Sequence, residues 1–155
     1  MRASIARLKE KVPQAPERLH QVVKLVTAST NFPVSTADKV ELLVGGAATF
    51  DSIMDAVREA KDHIHLEYYI FEPDETGLRL IALLCQKARE GVTVRLLVDA
   101  LGSKKLSRKY YAALEAAGGE FALFHPTKFG RRVRPVINFR THRKIVVIDG
   151  YIGYT

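Results

Sequence analysis

Hydrophobic residues along most of the chain follow two spacings, one typical of helices and one typical of strands. Apolar residues recur at helical spacing in four stretches, which begin at Leu19, Phe50, Leu78 and Leu106. Short apolar or β-branched runs predict strands at Val40–Val44, Ile64–Phe71, Val92–Val98, Glu120–Phe124 and Ile145–Ile148. Strands that alternate with helices build βαβ units, so the pattern predicts an α/β fold with a mostly parallel mixed sheet flanked by helices.

Local signals predict how several of these elements begin and end. Thr76 is the expected N-cap of the third helix, and Gly91 is its expected C-terminal stop. The near-continuous apolar run Val92–Val98 is typical of a strand buried on both faces. Asp149-Gly150 predicts a hairpin, which would make the last two strands antiparallel neighbours.

The start of the chain looks different from the rest. Pro13 and Pro16 interrupt its weak helical pattern, and small polar residues with Pro33 indicate a linker before residue 37. We therefore predict a helical segment and linker over residues 1–36 and the main domain over residues 37–155. Because Thr155 falls inside a strand that has barely started, we expect the chain to be part of a longer protein.

Composition narrows the class of protein. With 155 residues and 47% apolar content, the chain is long enough for one domain with a real core. The longest uncharged apolar run, residues 25–34, is too short and too polar to span a bilayer, so we expect the fragment itself to be soluble. Cys85 is the single cysteine, which excludes an internal disulfide framework, and its place on an apolar helix face predicts core packing.

Charge points to a phosphate-containing ligand. The net charge is +7, and the stretch between Phe121 and Ile148 holds seven Lys or Arg residues and no acid. Such a stretch attracts phosphate on nucleic acid, on lipid head groups or on small molecules. A basic surface loop with no ligand would have the same composition.

The segment "NFRTHRKIVVIDGYIGYT", residues 138–155, holds the candidate chemistry. If the strand extends back through Arg140, then Arg140, His142 and Lys144 share one face, because side chains alternate along a strand. The Cα atoms of His142 and Lys144 would then lie about 6.6 Å apart, close enough to bracket one phosphate. Asn138 joins this face if the extended conformation reaches it. An imidazole beside such cations can attack phosphorus, although a solvated strand edge is the alternative.

Two acids and two further histidines are additional candidate site residues. Asp149 has the opposite parity to His142 and starts the predicted turn, so turn geometry or backbone hydrogen bonding is its expected role. Glu67 lies mid-strand, either as a pocket acid that orients a substrate hydroxyl or a histidine, or as half of an internal salt bridge. His63 and His65 share a strand face, but without a Cys or His cluster nearby they predict no metal site.

Three segments resemble a known family. His142-Arg143-Lys144, four apolar residues and Asp149-Gly150 match HxKxxxxDG, the signature of the phospholipase D superfamily. Within that superfamily, "NFRTHRKIVVIDG", "HIHLEYYIFEPDETG" and "AREGVTVRLLVDALGS" are similar to the bacterial cardiolipin synthases, in the family's order and spacing. The resemblance covers roughly residue 31 to the end of the chain.

The resemblance implies a specific reaction without a metal or other cofactor. Two HxKxxxxD motifs make one site across a pseudo-twofold axis; one His forms a phosphohistidine, and the other protonates the leaving alcohol and activates the acceptor. The acceptor is a second phosphatidylglycerol, and the products are cardiolipin and glycerol. The catalytic residues implied here are His142, Lys144 and Asp149, and the substrate-binding residues expected beside them are Arg140, Asn138 and Glu67. The family carries Glu at the place of Glu67, which favours the pocket role.

The chain departs from the family pattern in what it lacks. It holds one motif, and neither a second motif nor the family's N-terminal membrane anchor is present. We therefore expect residues 37–155 to be a first catalytic half-domain that is inactive alone. Its expected partners are the second catalytic half, an anionic phospholipid and, for the full-length protein, the bacterial inner membrane, with no nucleic acid. The alternatives are a nuclease or phosphodiesterase of the same superfamily, and a non-catalytic half-site that binds an anion or lipid.

Overall fold

The computed structural model describes residues 17–30, 37–124, 128–129, 132–133 and 142–155. The chain forms two compact units, Met1–Leu42 and Leu43–Thr155. The described helices are α1 (Glu17–Thr30), α2 (Gly46–Glu59), α3 (Glu75–Arg89) and α4 (Arg108–Ala116). The described strands are β1 (His63–Tyr68), β2 (Thr93–Asp99), β3 (Glu120–Phe124), β4 (Lys128–Phe129), β5 (Arg132–Val133), β6 (Lys144–Ile148) and β7 (Ile152–Tyr154).

The described part of the first unit is mainly the helix α1, which confirms the helix predicted from Glu17. Its apolar residues Val22, Leu25 and Val26 are exposed. The predicted linker before residue 37 lies outside the described residues. In the described ranges, α1 included, no helix is long and apolar enough to cross a membrane.

The prediction of a strand at Val40–Val44 is wrong. This segment is irregular, and Val40, Leu42 and Val44 are each at least 80% exposed. Alternating apolar residues favour a strand only where a neighbouring strand completes the hydrogen-bonded ladder. No strand in the described ranges pairs with this segment.

The second unit is built on a five-stranded sheet in the order β3-β2-β1-β6-β7. The pairs β1–β2 and β2–β3 are parallel, whereas β1–β6 and β6–β7 are antiparallel. The predicted α/β fold with a mixed sheet is thus confirmed. The hairpin is confirmed as well, since Asp149 and Gly150 have φ angles of 51° and 69°, and a type I′ turn requires positive φ at both positions.

The core lies between one face of this sheet and three helices. The buried strand residues alternate, as Ile64, Leu66 and Tyr68 show in β1. They form one cluster with buried residues of α2, α3 and α4, among them Val57, Leu84, Cys85 and Leu114. Cys85 is therefore core packing, as predicted, and burial raises the pKa of its thiol.

The prediction that β2 is buried on both faces is wrong. Val94, Leu96 and Val98 are buried, but Thr93 and Arg95 on the other face are exposed. The alternation is hard to see in the sequence, because Thr93 and Arg95 are the only polar residues in Thr-Val-Arg-Leu-Leu and the next residue on their face is apolar. The three helices of this unit contribute their buried residues to the core on the face that carries Val94, Leu96 and Val98.

The predicted cap of α3 needs one correction. The N-cap is Asp74 rather than Thr76, and its Oδ1 accepts a hydrogen bond from the backbone N–H of Gly77 at 2.8 Å. A carboxylate at this place also interacts favourably with the helix dipole, which a hydroxyl does less well. The helix ends at Arg89, and Gly91 follows with φ of 91°, as the predicted stop requires.

Candidate active site

The first half of the motif lies at the edge of the sheet where β1 ends and β6 begins. Antiparallel pairing places Tyr68, the last residue of β1, opposite Lys144, the first residue of β6. One step further out, the backbone N–H of Tyr69 donates to the carbonyl oxygen of Arg143 at 3.1 Å. Because β1 and β2 are parallel, the carboxyl end of β2 at Asp99 reaches the same edge. This edge is where α/β sheets form most of their ligand sites.

The structure brings His142 and Lys144 together at this edge, both exposed. The Lys144 Nζ donates to the carbonyl oxygen of His142 at 2.9 Å. The imidazole of His142 stacks on the ring of Tyr69, with the centroids 4.5 Å apart and the planes inclined by 29°. Because β6 begins at Lys144, strand alternation does not extend to His142. Their proximity therefore follows from these contacts and not from the shared strand face that the sequence suggested.

Two of the expected substrate-binding residues, Asn138 and Arg140, lie outside the described residues. Their roles stay predictions. The exposed cations next to His142 that the structure does describe are Arg143 and Lys144. An exposed imidazole with an ammonium group beside it has the chemistry needed to attack a phosphate ester and hold its oxygens.

Asp149 lies at the opposite end of β6 from Lys144, about 16 Å away along the strand. Its Oδ2 accepts from the backbone N–H of Lys61, and its Oδ1 accepts from those of Asp62 and His63, all at 2.9 Å. These backbone donors, Lys61 foremost, hold the pKa of Asp149 below its ordinary value. The contacts favour a structural role, in which Asp149 joins the hairpin to the start of β1.

Glu67 lies on the other face of the sheet from Lys144. It neighbours Tyr68 in β1 and pairs with Ile145 and Leu97, so its side chain points away from the face that Tyr68 and Lys144 share. There it lines an open groove of about 420 Å³. The structure does not bring Glu67 to His142, and its part in binding substrate stays a prediction.

His63 and His65 lie close together near the start of β1, with ring centroids 4.8 Å apart. His63 Nδ1 contacts the Asp62 carboxylate at 2.9 Å, and Arg95 forms an ion pair with Glu120. Burial, and then the neighbouring His63 and Arg95, lower the pKa of His65. Throughout the described ranges, no three His, Cys, Asp or Glu residues are grouped to hold a metal ion.

Sequence reasoning missed two features at the sheet edge: the ring of Tyr69 against His142, and the loop Asp99–Ser103 behind it. A usable signal was present, because Tyr69 follows β1 directly and the loop follows β2 directly. Residues just beyond the carboxyl ends of parallel strands are the first candidates for a site.

Comparison with known proteins decides the family. Residues 53–155 match the family model described as "Cardiolipin synthase, PLD-like domain". The chain belongs to this family. The match covers β1 to β7 and the whole sheet edge described above.

Individual relatives extend the similarity to most of the chain. The chain is 45% identical to a cardiolipin synthase of Geobacillus kaustophilus over 94% of its own length, and 45% identical to the major cardiolipin synthase ClsA of Bacillus subtilis over 80%. It spans only 28% and 26% of those proteins. Among solved structures, TrmBL2, an archaeal chromatin protein, superimposes with a TM-score of 0.48 and 15% identity over 93% of this chain and 51% of that one. A likeness of that size carries no argument about this phospholipase D-like domain.

The contacts of Asp149 predict a pH-dependent contribution to stability. Asn replaces one carboxylate oxygen by an NH₂ group, which cannot accept from a backbone N–H. Asp149→Asn should therefore lower the free energy of unfolding by about 1–3 kcal/mol near neutral pH. Since the folded-state pKa of Asp149 is lowered, this contribution is complete above the unfolded pKa of about 4 and is lost as pH falls through the folded value. Thermal melts across that range would measure it.

Asp51→Asn is the matched control, because Asp51 is exposed in α2 and the substitution removes the same charge. Its melting temperature should stay close to that of the unsubstituted chain at every pH. A loss in Asp149→Asn that equals the control's, or that does not shrink in acid, would contradict the structural role.

We expect the sheet edge with His142 and Lys144 to bind anions. Inorganic phosphate or vanadate should shift the NMR signals of His142 and Lys144 together, and those of Arg140 with them. The affinity should be weak and should fall with added salt, because both described side chains are exposed to solvent. Shifts confined to Lys104, Lys105 and Arg108 would instead indicate nonspecific binding to another basic surface.

Proposed function

We propose that this chain is the first catalytic half of a cardiolipin synthase, with residues 37–155 as the half-domain. The observation that carries the proposal is the exposed imidazole of His142 beside the Lys144 ammonium group at the sheet edge, in a chain that belongs to the cardiolipin synthase family. Both relatives described above are named for this activity. Because the chain spans about a quarter of their length, the activity of the whole protein is inferred.

In the proposed first step, a ring nitrogen of neutral His142 attacks the phosphorus of phosphatidylglycerol. A P–N bond forms, the P–O bond to the glycerol head group breaks, and the leaving oxygen receives a proton from the histidine of the second half. Lys144 lies where its ammonium group can leave the carbonyl oxygen of His142 and hold a phosphate oxygen. It thereby neutralises the charge that develops in the transition state.

In the second step, the hydroxyl of another phosphatidylglycerol loses its proton to the same second-half histidine and attacks the phosphorus. The P–N bond breaks, His142 is restored, and the products are cardiolipin and glycerol. The reaction as proposed needs two partners: a second half that supplies the proton-transfer histidine and a second lysine, and a membrane surface that presents both lipids. No cofactor enters either step.

The isolated chain should not catalyse this transfer, because it supplies the His and the Lys of one motif where the reaction needs those of two. We expect labelled phosphatidylglycerol in detergent micelles to give no cardiolipin above the level of a His142→Ala control. Turnover that the substitution removes would mean that two copies assemble a complete site. Release of phosphatidate or cleavage of single-stranded DNA, also dependent on His142, would favour a phospholipase or a nuclease.

In the longer enzyme that the proposal requires, the motif residues should differ in what they contribute. His142→Ala should abolish transfer with little loss of stability, because an exposed imidazole contributes little packing. Lys144→Ala should also lower the rate strongly, by about a hundredfold or more. Asp149→Asn should retain more activity than either, with part of its defect appearing as a lower melting temperature.

Turnover and melting temperature, measured together on all three variants, decide whether Asp149 has a structural or a catalytic role. If Asp149→Asn is as inactive as His142→Ala and melts like the unsubstituted enzyme, Asp149 acts in the reaction itself. A His142→Ala enzyme that still transfers would overturn the proposed function.

A further inference from the structure

The imidazole of His142 has a specific neighbour. Its ring lies 4.5 Å from the ring of Tyr69, at an angle of 29°, in a stacked arrangement. An exposed side chain such as His142 otherwise samples several rotamers, and each directs the ring nitrogens differently. A flat aromatic surface on one side restricts this choice, because offset stacking is the favoured geometry for such ring pairs.

Tyr69 is itself held by hydrogen bonds to both its backbone N–H and its backbone carbonyl oxygen. Its N–H donates to the carbonyl oxygen of Arg143 at 3.1 Å. Its carbonyl oxygen accepts a hydrogen bond from Ser103 Oγ at 3.2 Å, and the same Oγ accepts from the N–H of Phe71 at 2.9 Å. Ser103 is buried, so solvent competes little for its hydroxyl group. Tyr69 is therefore fixed on one side by Arg143, which directly precedes β6, and on the other by the loop after β2.

The loop after β2 approaches Tyr69 too closely for most residues. A Cβ atom on Gly102 would lie 2.2 Å from the carbonyl oxygen of Tyr69 and 3.1 Å from its ring atom Cδ2. Glycine is thus required by space at this position. The turn around it is fixed by Asp99, whose Oδ1 accepts from the N–H groups of Leu101 and Gly102, each at 2.9 Å.

We propose that Tyr69 is a positioning residue: its ring holds the imidazole of His142 in one orientation at the phosphate site, and the loop Asp99–Ser103 fixes Tyr69 for that purpose. The orienting role rests on the proposed function in so far as it matters for phosphatidyl transfer, but the contact itself does not. The proposal assigns the role to the aromatic ring and not to the hydroxyl. Phe should therefore replace Tyr69, whereas Leu, which fills similar space without a flat ring, should not.

The contact is tested by NMR on the 155-residue chain. Protons of the Tyr69 ring should show nuclear Overhauser effects to the imidazole protons of His142, whose signals are assigned with His142→Ala. Ring current from Tyr69 should displace those imidazole signals upfield. Tyr69→Leu should return them toward the positions of a free histidine, and Tyr69→Phe should retain the displacement. Tyr151→Leu is the matched control, since Tyr151 is 93% exposed on the β6–β7 turn, and it should change nothing.

Activity in the longer enzyme supplies the second readout. Tyr69→Leu should lower kcat about tenfold, because a misoriented nucleophile loses part of its effective concentration. The KM for phosphatidylglycerol should stay within about twofold, because ground-state binding by Lys144 is unchanged. Tyr69→Phe should restore most of kcat. Gly102→Ala removes no reacting group, but its Cβ would displace Tyr69, so it should lower kcat in the same direction as Tyr69→Leu.

The two proposals fail in different ways. Missing Overhauser effects between the rings in the unsubstituted chain would overturn the positioning role, and this measurement does not require the Tyr69 variants to fold. So would unchanged His142 signals in a folded Tyr69→Leu chain, or equal losses in the Phe and Leu variants. An unsubstituted longer enzyme that transfers no phosphatidyl group, with the ring contact intact, would overturn the proposed function alone.

Discussion

The antiparallel pairing of β6 with β1 determines where each part of the motif lies. Its register places Lys144 opposite Tyr68 at one end and Ile148 opposite Ile64 at the other. The pairing is fixed beyond the strands at both ends: Tyr69 donates to Arg143 at the first, and Asp149 accepts from three backbone N–H groups at the second. A shift of one residue would turn Val146 and Ile148 out of the core, so apolar burial and these end contacts specify the same register.

This pairing separates a motif that is continuous in sequence into two parts with different surroundings. His142 and Lys144 lie at the exposed edge, whereas Asp149 is bonded to the backbone that leads into β1. The Asp-Gly turn was enough to predict backbone hydrogen bonding for Asp149, whereas the parity argument does not hold for His142, which precedes β6. The turn could not identify the partners of Asp149, because residues 61–63 become its neighbours only through the strand order of the sheet.

Sequence periodicity predicted those elements whose apolar spacing is compatible with only one type of secondary structure. The helices α2 and α3, the strands β1 and β2 and the β6–β7 hairpin follow from spacing and from the Asp149-Gly150 pair. Periodicity failed where the outcome depends on a neighbour, as at Val40–Val44, which has strand-like alternation and no described strand beside it. The contact between Tyr69 and His142 was beyond reach for a related reason: it joins two residues outside regular strand geometry, where alternation no longer says which way a side chain points.

The same exposure that makes His142 and Lys144 available also limits what they can do alone. A charge pair 4 Å apart contributes about 1 kcal/mol in water and about 4 kcal/mol where the effective dielectric constant is near 20. Lys144 also has a partner at rest, the carbonyl oxygen of His142, so a phosphate must replace that bond as well as displace water. Because its donor is an ammonium ion, this hydrogen bond contributes about 1.5–3 kcal/mol, which an exposed phosphate contact does not exceed and a covered one does. The proposed second half would thus do more than add a proton donor: by excluding water from this edge, it would turn a weak anion contact into one strong enough to stabilise a transition state.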